Sequence, residues 1–263
     1  MQPPAKKSGV LLIPLFYFLL LVLWQMLASL PRSRDYLFPS PLLVARRMVE
    51  LARDNLLLSS IVATLKRMSI GFALSALLGL VIGVAMGTSW VVNKALKSLF
   101  LGLQTLPTAA WAPVSVLIFG LSDRGIYFVV VMSSMSAVAI ATADGILNIP
   151  PIYLRAARTL GTRPWAMYER VIMPAALPSI VTGLKLGWTL GWHGAVSAEL
   201  IKSSVGLGFL LYMGRELNDA AQVIGIMLLT ILFGLLLDQF IFGMIERKIR
   251  HRWGLTAEQD LEH

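Results

Sequence analysis

Four ionisable side chains stand inside long apolar segments, where a charge is costly and usually pairs with another group or contacts a solute. They are Lys185, His193, Glu199 and Asp238. We interpret Lys185 as extending along its aliphatic stem toward the nearer membrane surface, and Asp238 as pairing with a neighbouring Lys or Arg. Glu199 is expected to fix the loop that follows it. His193 either donates a hydrogen bond to an anionic solute or forms one between helices.

Three polar residues of one apolar segment, Thr189, His193 and Ser197, follow each other at intervals of four. At that spacing they lie on one face of a helix. The sequence predicts that this face forms the wall of a translocation pathway. The alternative is that these side chains bond to neighbouring helices, as polar residues do in membranes.

Several catalytic and metal-binding patterns are absent from the sequence. There is no cysteine, which excludes disulfides and thiolate metal sites. There is also no G-x-x-x-x-G-K-[ST] phosphate-binding loop, no H-E-x-x-H pair and no G-x-S-x-G turn. We therefore expect no catalytic residue, metal or cofactor in this chain.

The composition indicates a protein that is solvated by a lipid bilayer. Hydrophobic residues make up 57% of the 263 residues and charged residues 14%, against roughly 45–50% and 25% in soluble domains. The net charge of +9 is attributed to basic loops that face the cytoplasm and anionic lipid. Because basic clusters flank apolar spans, we expect no binding to nucleic acid.

Six segments are apolar over about the 20 residues that a membrane-crossing helix needs. They are residues 10–30, 69–92, 98–122, 125–143, 174–198 and 220–245. The second carries four glycines, among them Gly79 and Gly83, and such a ridge of small residues lets helices approach closely in lipid. The third is broken by Pro107 and Pro113. Six crossings leave both termini on one side.

The N-terminal part is expected to contain one retained span and one surface helix. Residues 10–30 exceed the 7–15-residue apolar core of a signal peptide and end without a small-residue cleavage site. In residues 31–59, Pro39-Ser40-Pro41 begins a helix in which apolar and basic residues alternate amphipathically. We expect this helix to lie at the outer membrane surface.

The longest polar connection between the apolar segments, residues 148–174, carries four arginines and one acid, Glu169. Basic flanks mark the cytoplasmic side, so this loop and both termini, including the basic residues 246–252, are expected inside. Ile152, Ala156 and Leu160 lie on one helical face, and Gly161 suits the left-handed residue that ends a helix.

A second short helix is expected after Gly161. Thr162 is predicted to cap it and Pro164 to occupy its first turn, while Pro174 begins the following span. The two short helices would form a hairpin that projects from the membrane. An ordinary loop with a surface helix is the alternative.

The loop resembles the EAA loop of bacterial ABC importer permeases. The resemblance is carried by Ala156-Ala157, by Gly161 four residues later, and by Ile172-Met173-Pro174 and Leu177-Pro178. In that family the loop is a coupling helix that docks in a groove of the ATPase subunit. Arg155 stands where the family often has Glu, which puts one salt bridge to the ATPase in doubt. The resemblance assigns coupling to Ile152, Arg155, Ala156, Ala157, Arg158, Leu160, Gly161 and Pro174.

The resemblance extends over roughly residues 36–250 and is closest to the nitrate/sulfonate/taurine branch of these permeases. It is carried by Gly71-Phe72, by Leu106-Pro107 with Trp111-Ala-Pro113, and by Ala198-Glu199-Leu200 with Gly206-Leu-Gly208. It implies an all-α membrane protein with the type I importer permease fold, an N-terminal helix plus a five-helix core (60–250), within a single domain (1–263).

The resemblance also implies the partners and the location. These are two ABC ATPase subunits that bind ATP and Mg, a second permease copy in a homodimer, and a periplasmic or lipid-anchored solute-binding protein. The chain is expected in the bacterial inner membrane. The implied solute is a small anion such as nitrate, a sulfonate or bicarbonate, and the alternative is an aromatic acid or a thiamine-precursor pyrimidine.

Two other classes of function are disfavoured by the sequence. A secondary transporter has internal repeats with broken helices at matching positions, and none is apparent. A membrane-embedded enzyme needs catalytic groups that converge at one depth, whereas the ionisable residues here are dispersed along the chain.

Overall fold

The computed structural model describes residues 8–29, 38–201 and 205–244, and the regular structure in these ranges is entirely helical. The helices are α1 Ser8–Ala28, α2 Pro41–Arg53, α3 Leu56–Thr88, α4 Trp90–Gln104, α5 Trp111–Phe119, α6 Asp123–Leu147, α7 Pro151–Thr159, α8 Pro164–Met167, α9 Met173–Glu199, α10 Leu207–Glu216 and α11 Ala220–Leu237. A 3-10 turn precedes α5, and π-helical turns follow α8 and α11 at Tyr168–Ile172 and Asp238–Phe242. The basic residues 246–252 lie outside the described ranges.

Four described helices are long and apolar enough to cross a membrane: α3, the helix from Pro164 to Glu199, α6, and the helix from Ala220 to Phe240. A fifth crossing is counted if α4 and α5, which meet at 92°, form one broken span. The described apolar part of α1, Pro14–Ala28, is shorter than these. The all-α membrane fold expected from the sequence is confirmed, and the break near Pro107 is the bend between α4 and α5.

Close contacts between α3 and α6 show that these helices run parallel. A Cβ built on Gly79 would lie 2.7 Å from Cβ of Val138, and one on Gly83 would lie 2.5 Å from Cβ of Thr142. Each glycine thus meets the residue 59 positions further along the chain, and a constant offset requires a common direction. The chain must therefore return across the bundle between α3 and α6, and α4 with α5 makes that return.

Helix α9 runs antiparallel to α6. Gly183 lies against Ala141 near the end of α6, whereas Gly194 lies against Ser133 nearer its start. Helices α3, α6 and α9 form the centre of the bundle, since α6 packs extensively on both of its neighbours. The absence of side chains at these glycines lets the backbones approach closely, as expected from small-residue ridges in membranes.

These directions define two ends of the bundle. The segment between α6 and α9, which contains α7 and α8, lies at one end, here named the loop end. Helix α10, which joins α9 to α11, lies at the opposite end, here named the cap end. Helix α2 also lies at the cap end, where its Met48 side chain contacts Gly225 near the start of α11. Trp24 in α1 donates a hydrogen bond to the Pro39 carbonyl, 3.1 Å away, just before α2.

The start of α2 agrees with the sequence prediction. Ser40 is the N-cap and its hydroxyl accepts a hydrogen bond from the Leu43 N–H, with Pro41 in the first turn. Val44 and Leu51 are buried, whereas Leu42 and Val49 are exposed. The helix is therefore amphipathic, and its buried face packs on α3 and α11.

Two predicted boundaries are wrong. The span expected at 69–92 belongs to a 33-residue helix that begins at Leu56 and ends at Thr88. The second short helix of the loop is not separate from the following span, because helical structure continues from Pro164 to Glu199 through the π turn. The proline at 174, which lacks an N–H group, follows that π turn, and such local widening is a common way to accommodate an interruption in helical hydrogen bonding.

Candidate functional site

Helix α7 ends in a Schellman turn at the loop end of the bundle. The N–H of Gly161 donates to the Arg158 carbonyl at 2.9 Å, and the N–H of Thr162 donates to the Ala157 carbonyl at 3.1 Å. Gly161 has φ +72°, and a Cβ placed there would meet nothing within 4 Å. The predicted left-handed glycine is confirmed. Thr162 does not cap the next helix as predicted, because Arg163 is the N-cap and no side-chain cap is present.

One face of α7 exposes apolar side chains away from the bundle. Ile152 is 62% exposed and Leu160 is 85% exposed, and Ala156 between them is also exposed. Ala157 on the opposite face is buried. Helix α8, which follows, exposes Trp165 by 80%. A projecting helix with an apolar outer face is suited to bind a groove on another protein.

Basic side chains surround this apolar face. The four arginines of the loop, at positions 155, 158, 163 and 170, are all exposed. Pro174 is half-buried in the first turn of α9. Together with the exposed apolar residues, the arginines give the loop end a positively charged surface that suits an acidic rim on a partner.

A second candidate site is a cavity of about 410 Å³ between α9 and α11. Its lining residues are Trp188, Thr189, Trp192, His193, Thr230, Ile231, Gly234, Leu235 and Asp238. Thr189 and His193, two of the three residues predicted to form a pathway wall, line this cavity and are exposed. Ser197, the third, is half-buried and is not among the lining residues. The Thr189 hydroxyl donates to the Lys185 carbonyl at 3.2 Å.

One lining residue of this cavity, Asp238, forms an ion pair. Lys185 Nζ lies 3.3 Å from Asp238 Oδ2. Lys185 therefore forms an ion pair within the bundle, contrary to the expectation that it extends to a membrane surface. The expected pairing of Asp238 with a basic residue is present. Asp238 is the first residue of the π turn after α11, and π turns recur at functional sites.

The third polar site is a buried cluster at the cap end. Glu199, which is 1% exposed, accepts hydrogen bonds from Thr64 Oγ1 at 2.8 Å, Arg67 Nη1 at 2.9 Å and the Gly208 N–H at 3.1 Å. Arg67 also donates from Nε to Asp123 Oδ1 at 3.0 Å. These contacts join α3, α6, α9 and α10. A buried charge needs such compensation.

The cluster fixes the segment that follows α9. Arg67 donates to the Val205 carbonyl, and Thr64 Oγ1 accepts a hydrogen bond from the Leu207 N–H at 2.9 Å. A Cβ on Gly206 would lie 2.5 Å from the Glu199 carboxylate, so glycine is needed there for close approach. Glu199 therefore binds the following loop, as the sequence predicted, but its partners Thr64 and Arg67 were missed. The sequence signal that could have indicated them is the pair itself: Thr64 and Arg67 lie three positions apart, on one face of an apolar helix, where a charge needs a partner.

The comparisons with known proteins agree with this fold. The chain belongs to the family described as binding-protein-dependent transport system inner membrane component, which residues 75–251 match. It is therefore a multi-pass inner-membrane permease of the ABC importer type.

Three relatives have been named for the solutes that they carry. The nitrate import permease protein NrtB of Leptolyngbya laminosa is 31% identical over 242 residues, which cover 89% of this chain and 85% of that protein. The bicarbonate transport system permease protein CmpB of Synechococcus elongatus is 31% identical over 249 residues, covering 90% and 88%. The formylaminopyrimidine transport permease protein ThiX of Halalkalibacterium halodurans is 31% identical over 232 residues, covering 88% and 92%.

A solved structure has the same fold. It is an inward-facing conformation of the MetNI methionine ABC transporter, with a TM-score of 0.61 and 19% sequence identity over 74% of this chain and 96% of that one.

Proposed function

We propose that this chain is the membrane-spanning subunit through which an ATP-driven importer moves a small solute, and that α7 transmits the movement of separate ATPase subunits. The observation that carries the proposal is the exposed apolar face of α7 at the loop end. Exposing Leu160 and Trp165 to water by 85% and 80% is unfavourable, whereas a groove on an ATPase would bury both.

The orientation follows from the same proposal. If ATPase subunits bind α7, the loop end faces the cytoplasm. Helix α11 runs from the cap end to the loop end and α1 has its last turns at the cap end, next to α2. Both termini then lie on the cytoplasmic side, and α2 and α10 face the solute-binding protein.

The assembly that we propose contains two copies of this permease and two ATPase subunits, with ATP and Mg bound by the ATPases. ATP binding closes the ATPase pair and moves the two α7 helices toward each other, because differential contacts favour one of two states. The chain is not the catalyst of hydrolysis.

The relatives' names support a small anion as the solute, since two of the three described above are named for nitrate and bicarbonate. A second candidate is a small organic solute. It is favoured by the cavity between α9 and α11, whose tryptophans and Asp238 suit an organic molecule better than an inorganic anion.

The proposal can be tested by measuring how much ATPase co-purifies with a permease that is changed at Leu160. Leu160→Asp places a charge on the exposed face without disturbing the core, and surface changes of this kind alter the free energy of unfolding by about 0.5 kcal/mol or less. An Asp buried without a partner in the interface costs about 1–3 kcal/mol, so the affinity for the ATPase, and with it the amount retained in mild detergent, should fall at least about fivefold.

Leu217→Asp is the matched control. Leu217 is 62% exposed and is the C-cap of α10 at the cap end, as Leu160 is the C-cap of α7. The control should retain the ATPase fully. Equal retention by both variants, with both permeases at the wild-type level in the membrane, would show that α7 is not the docking element.

A further inference from the structure

One face of α4 forms an open groove of about 410 Å³ at the loop end of the bundle. The residues that line it recur at the three- and four-residue spacing of one helical face, so they form a stripe along α4. They are Trp90, Asn93, Lys94, Lys97, Ser98 and Leu101. The opposite face, with buried Phe100 and half-buried Leu96, packs on α3 and α6. The stripe therefore faces away from the bundle.

The stripe begins at the level of the lipid headgroups. Helix α3, which ends at Thr88, has 33 residues and is therefore about 50 Å long. That length exceeds the hydrocarbon layer of roughly 30 Å and is close to the roughly 40–45 Å of a bilayer with its headgroups. Trp90 follows the end of α3 by two residues and is 75% exposed. It thus lies in the headgroup layer, where tryptophan is enriched.

The groove carries one positive charge that no neighbouring carboxylate compensates. Lys97 Nζ lies 2.6 Å from Asp144 Oδ1 of α6, and this pair is neutral as a whole. Lys94 forms no ion pair with any described residue, and its Nζ lies 5.1 Å from the centroid of the Trp90 ring, in a cation–π contact. None of the six lining residues is acidic. A ligand with a single negative charge would therefore complement the groove.

The stripe is polar at one end and apolar at the other. The ammonium of Lys94 and the exposed hydroxyl of Ser98 can both donate hydrogen bonds to a phosphate. Leu101, which is 50% exposed, lies about 10 Å further along the helix than Lys94 and can contact an acyl chain. A free inorganic anion would use only the polar end, whereas a phospholipid would use both.

We infer that this stripe of α4 is a binding site for an anionic phospholipid with one negative charge, such as phosphatidylglycerol, in the leaflet at the loop end. Its phosphate binds Lys94 and Ser98, and its acyl chain passes Leu101. Basic groups beside a membrane-crossing helix attract lipids of this charge. The inference does not depend on whether α7 binds an ATPase.

Quenching of Trp90 fluorescence by brominated lipid tests the inference, because such lipids quench the tryptophans that they contact. The full permease is reconstituted in phosphatidylcholine bilayers that contain either brominated phosphatidylglycerol or brominated phosphatidylcholine at one mole fraction. The chain has seven tryptophans, so the Trp90 signal is the difference between the wild type and Trp90→Phe. We expect the anionic lipid to associate about fivefold more strongly at Trp90 than the zwitterionic lipid, the effect of one lysine near the surface.

Variants of three residues test the charge of the groove. Lys94→Gln should abolish the preference for the anionic lipid, whereas Lys94→Arg keeps the charge and should preserve it. Asp144→Asn releases Lys97 from its ion pair and should raise the preference by up to about fivefold. Lys66→Gln is the matched control. Lys66 is exposed on α3 at the cap end, so its loss should leave the preference at Trp90 unchanged.

Equal association of the two lipids at Trp90 in the wild type would overturn the inference. So would a preference that survives in Lys94→Gln, is lost in Lys94→Arg or Lys66→Gln, or falls in Asp144→Asn. If nitrate or inorganic phosphate lowered the quenching more than chloride at equal ionic strength, the groove would bind a free anion and the inference would also fail.

A structure of the assembled transporter in which an ATPase or the second copy covers the stripe would likewise overturn the inference. The proposed function stands or falls separately. Retention of the ATPase by the wild type and its loss in Leu160→Asp would leave that function intact whatever the lipid measurements show.

Discussion

The buried hydroxyl of Thr64 should decide how firmly the segment after α9 is held. Thr64 is fully buried, and its Oγ1 donates to Glu199 at 2.8 Å while it accepts from the Leu207 N–H at 2.9 Å. Thr64→Val keeps the shape of the side chain and removes both hydrogen bonds. Thr64→Ser keeps the hydroxyl and loses only a methyl group.

The expected change in the free energy of local opening follows from the hydrogen bonds that Thr64→Val removes. The Leu207 N–H is left buried without an acceptor, which costs about 1–3 kcal/mol. Glu199 retains its bonds from Arg67 and Gly208, so the loss of the third donor contributes less. Interhelical hydrogen bonds in membranes average only about 0.6 kcal/mol. We expect the local opening of the start of α10 to become about 2–3 kcal/mol easier, that is, roughly 30- to 150-fold more frequent.

Hydrogen–deuterium exchange of peptides that cover residues 205–210 measures this opening directly. In Thr64→Val, exchange there should accelerate by the factor above, whereas peptides from α6 should be unchanged. In Thr64→Ser the acceleration should stay below about fivefold. If the two variants exchange alike, or if Thr64→Val matches the wild type, the hydroxyl does not hold this segment and the reasoning is refuted.

Two further predictions concern glycines. Gly161→Val should reduce solute uptake per ATP hydrolysed while the permease still folds, because a β-branched residue strains the φ of +72° by about 1–2 kcal/mol although its Cβ meets no neighbour. Gly161→Asn, which tolerates that backbone conformation, should retain most of the coupling between hydrolysis and uptake. Equal coupling in the two variants would contradict the role of the turn. Gly83→Ala should lower the free energy of unfolding by about 1–3 kcal/mol, because its Cβ would lie 2.5 Å from Thr142. Gly102→Ala is the control: nothing lies within 4 Å of a Cβ at that position, so the substitution should leave the free energy of unfolding unchanged or raise it slightly. Denaturant-induced unfolding of the two variants in detergent measures both effects.

Four of the six predicted crossings are found among the described residues, and a fifth if α4 and α5 form one broken span. They could be predicted because a lipid-facing helix needs an apolar stretch, and this requirement is local. The predicted span begins at residue 69, directly after the charges of Lys66 and Arg67, whereas α3 begins at Leu56 and includes both. Arg67 is buried there because Asp123 and Glu199 compensate it. Those partners are 56 and 132 residues away along the chain, so no pattern near Arg67 could reveal that its charge is compensated.

The loop and the cavity show the same limit. Gly161 was recognised because a left-handed turn is a property of a few consecutive residues, and Ser40 was recognised as a cap for the same reason. The cavity depends on the packing of α9 against the end of α11. Helical spacing alone placed Thr189, His193 and Ser197 on one face of α9. Of these three, Thr189 and His193 line the cavity and Ser197 does not.

The close contacts among α3, α6 and α9 favour a movement in which these three helices shift together. Helices α3, α6 and α9 are in backbone-to-backbone contact at their glycines, and the Glu199–Arg67 cluster joins them at the cap end. Packed elements of this kind move as a unit. Because α7 connects α6 to α9, a force on α7 acts on that unit. Helix α11 packs instead on α2 and α10 and meets α9 across the cavity, where the Lys185–Asp238 pair and Trp188 connect them. We therefore expect displacement of α7 to change the width of the cavity, so that the element that would bind the ATPase and the site that would bind the solute are coupled through a single rigid body.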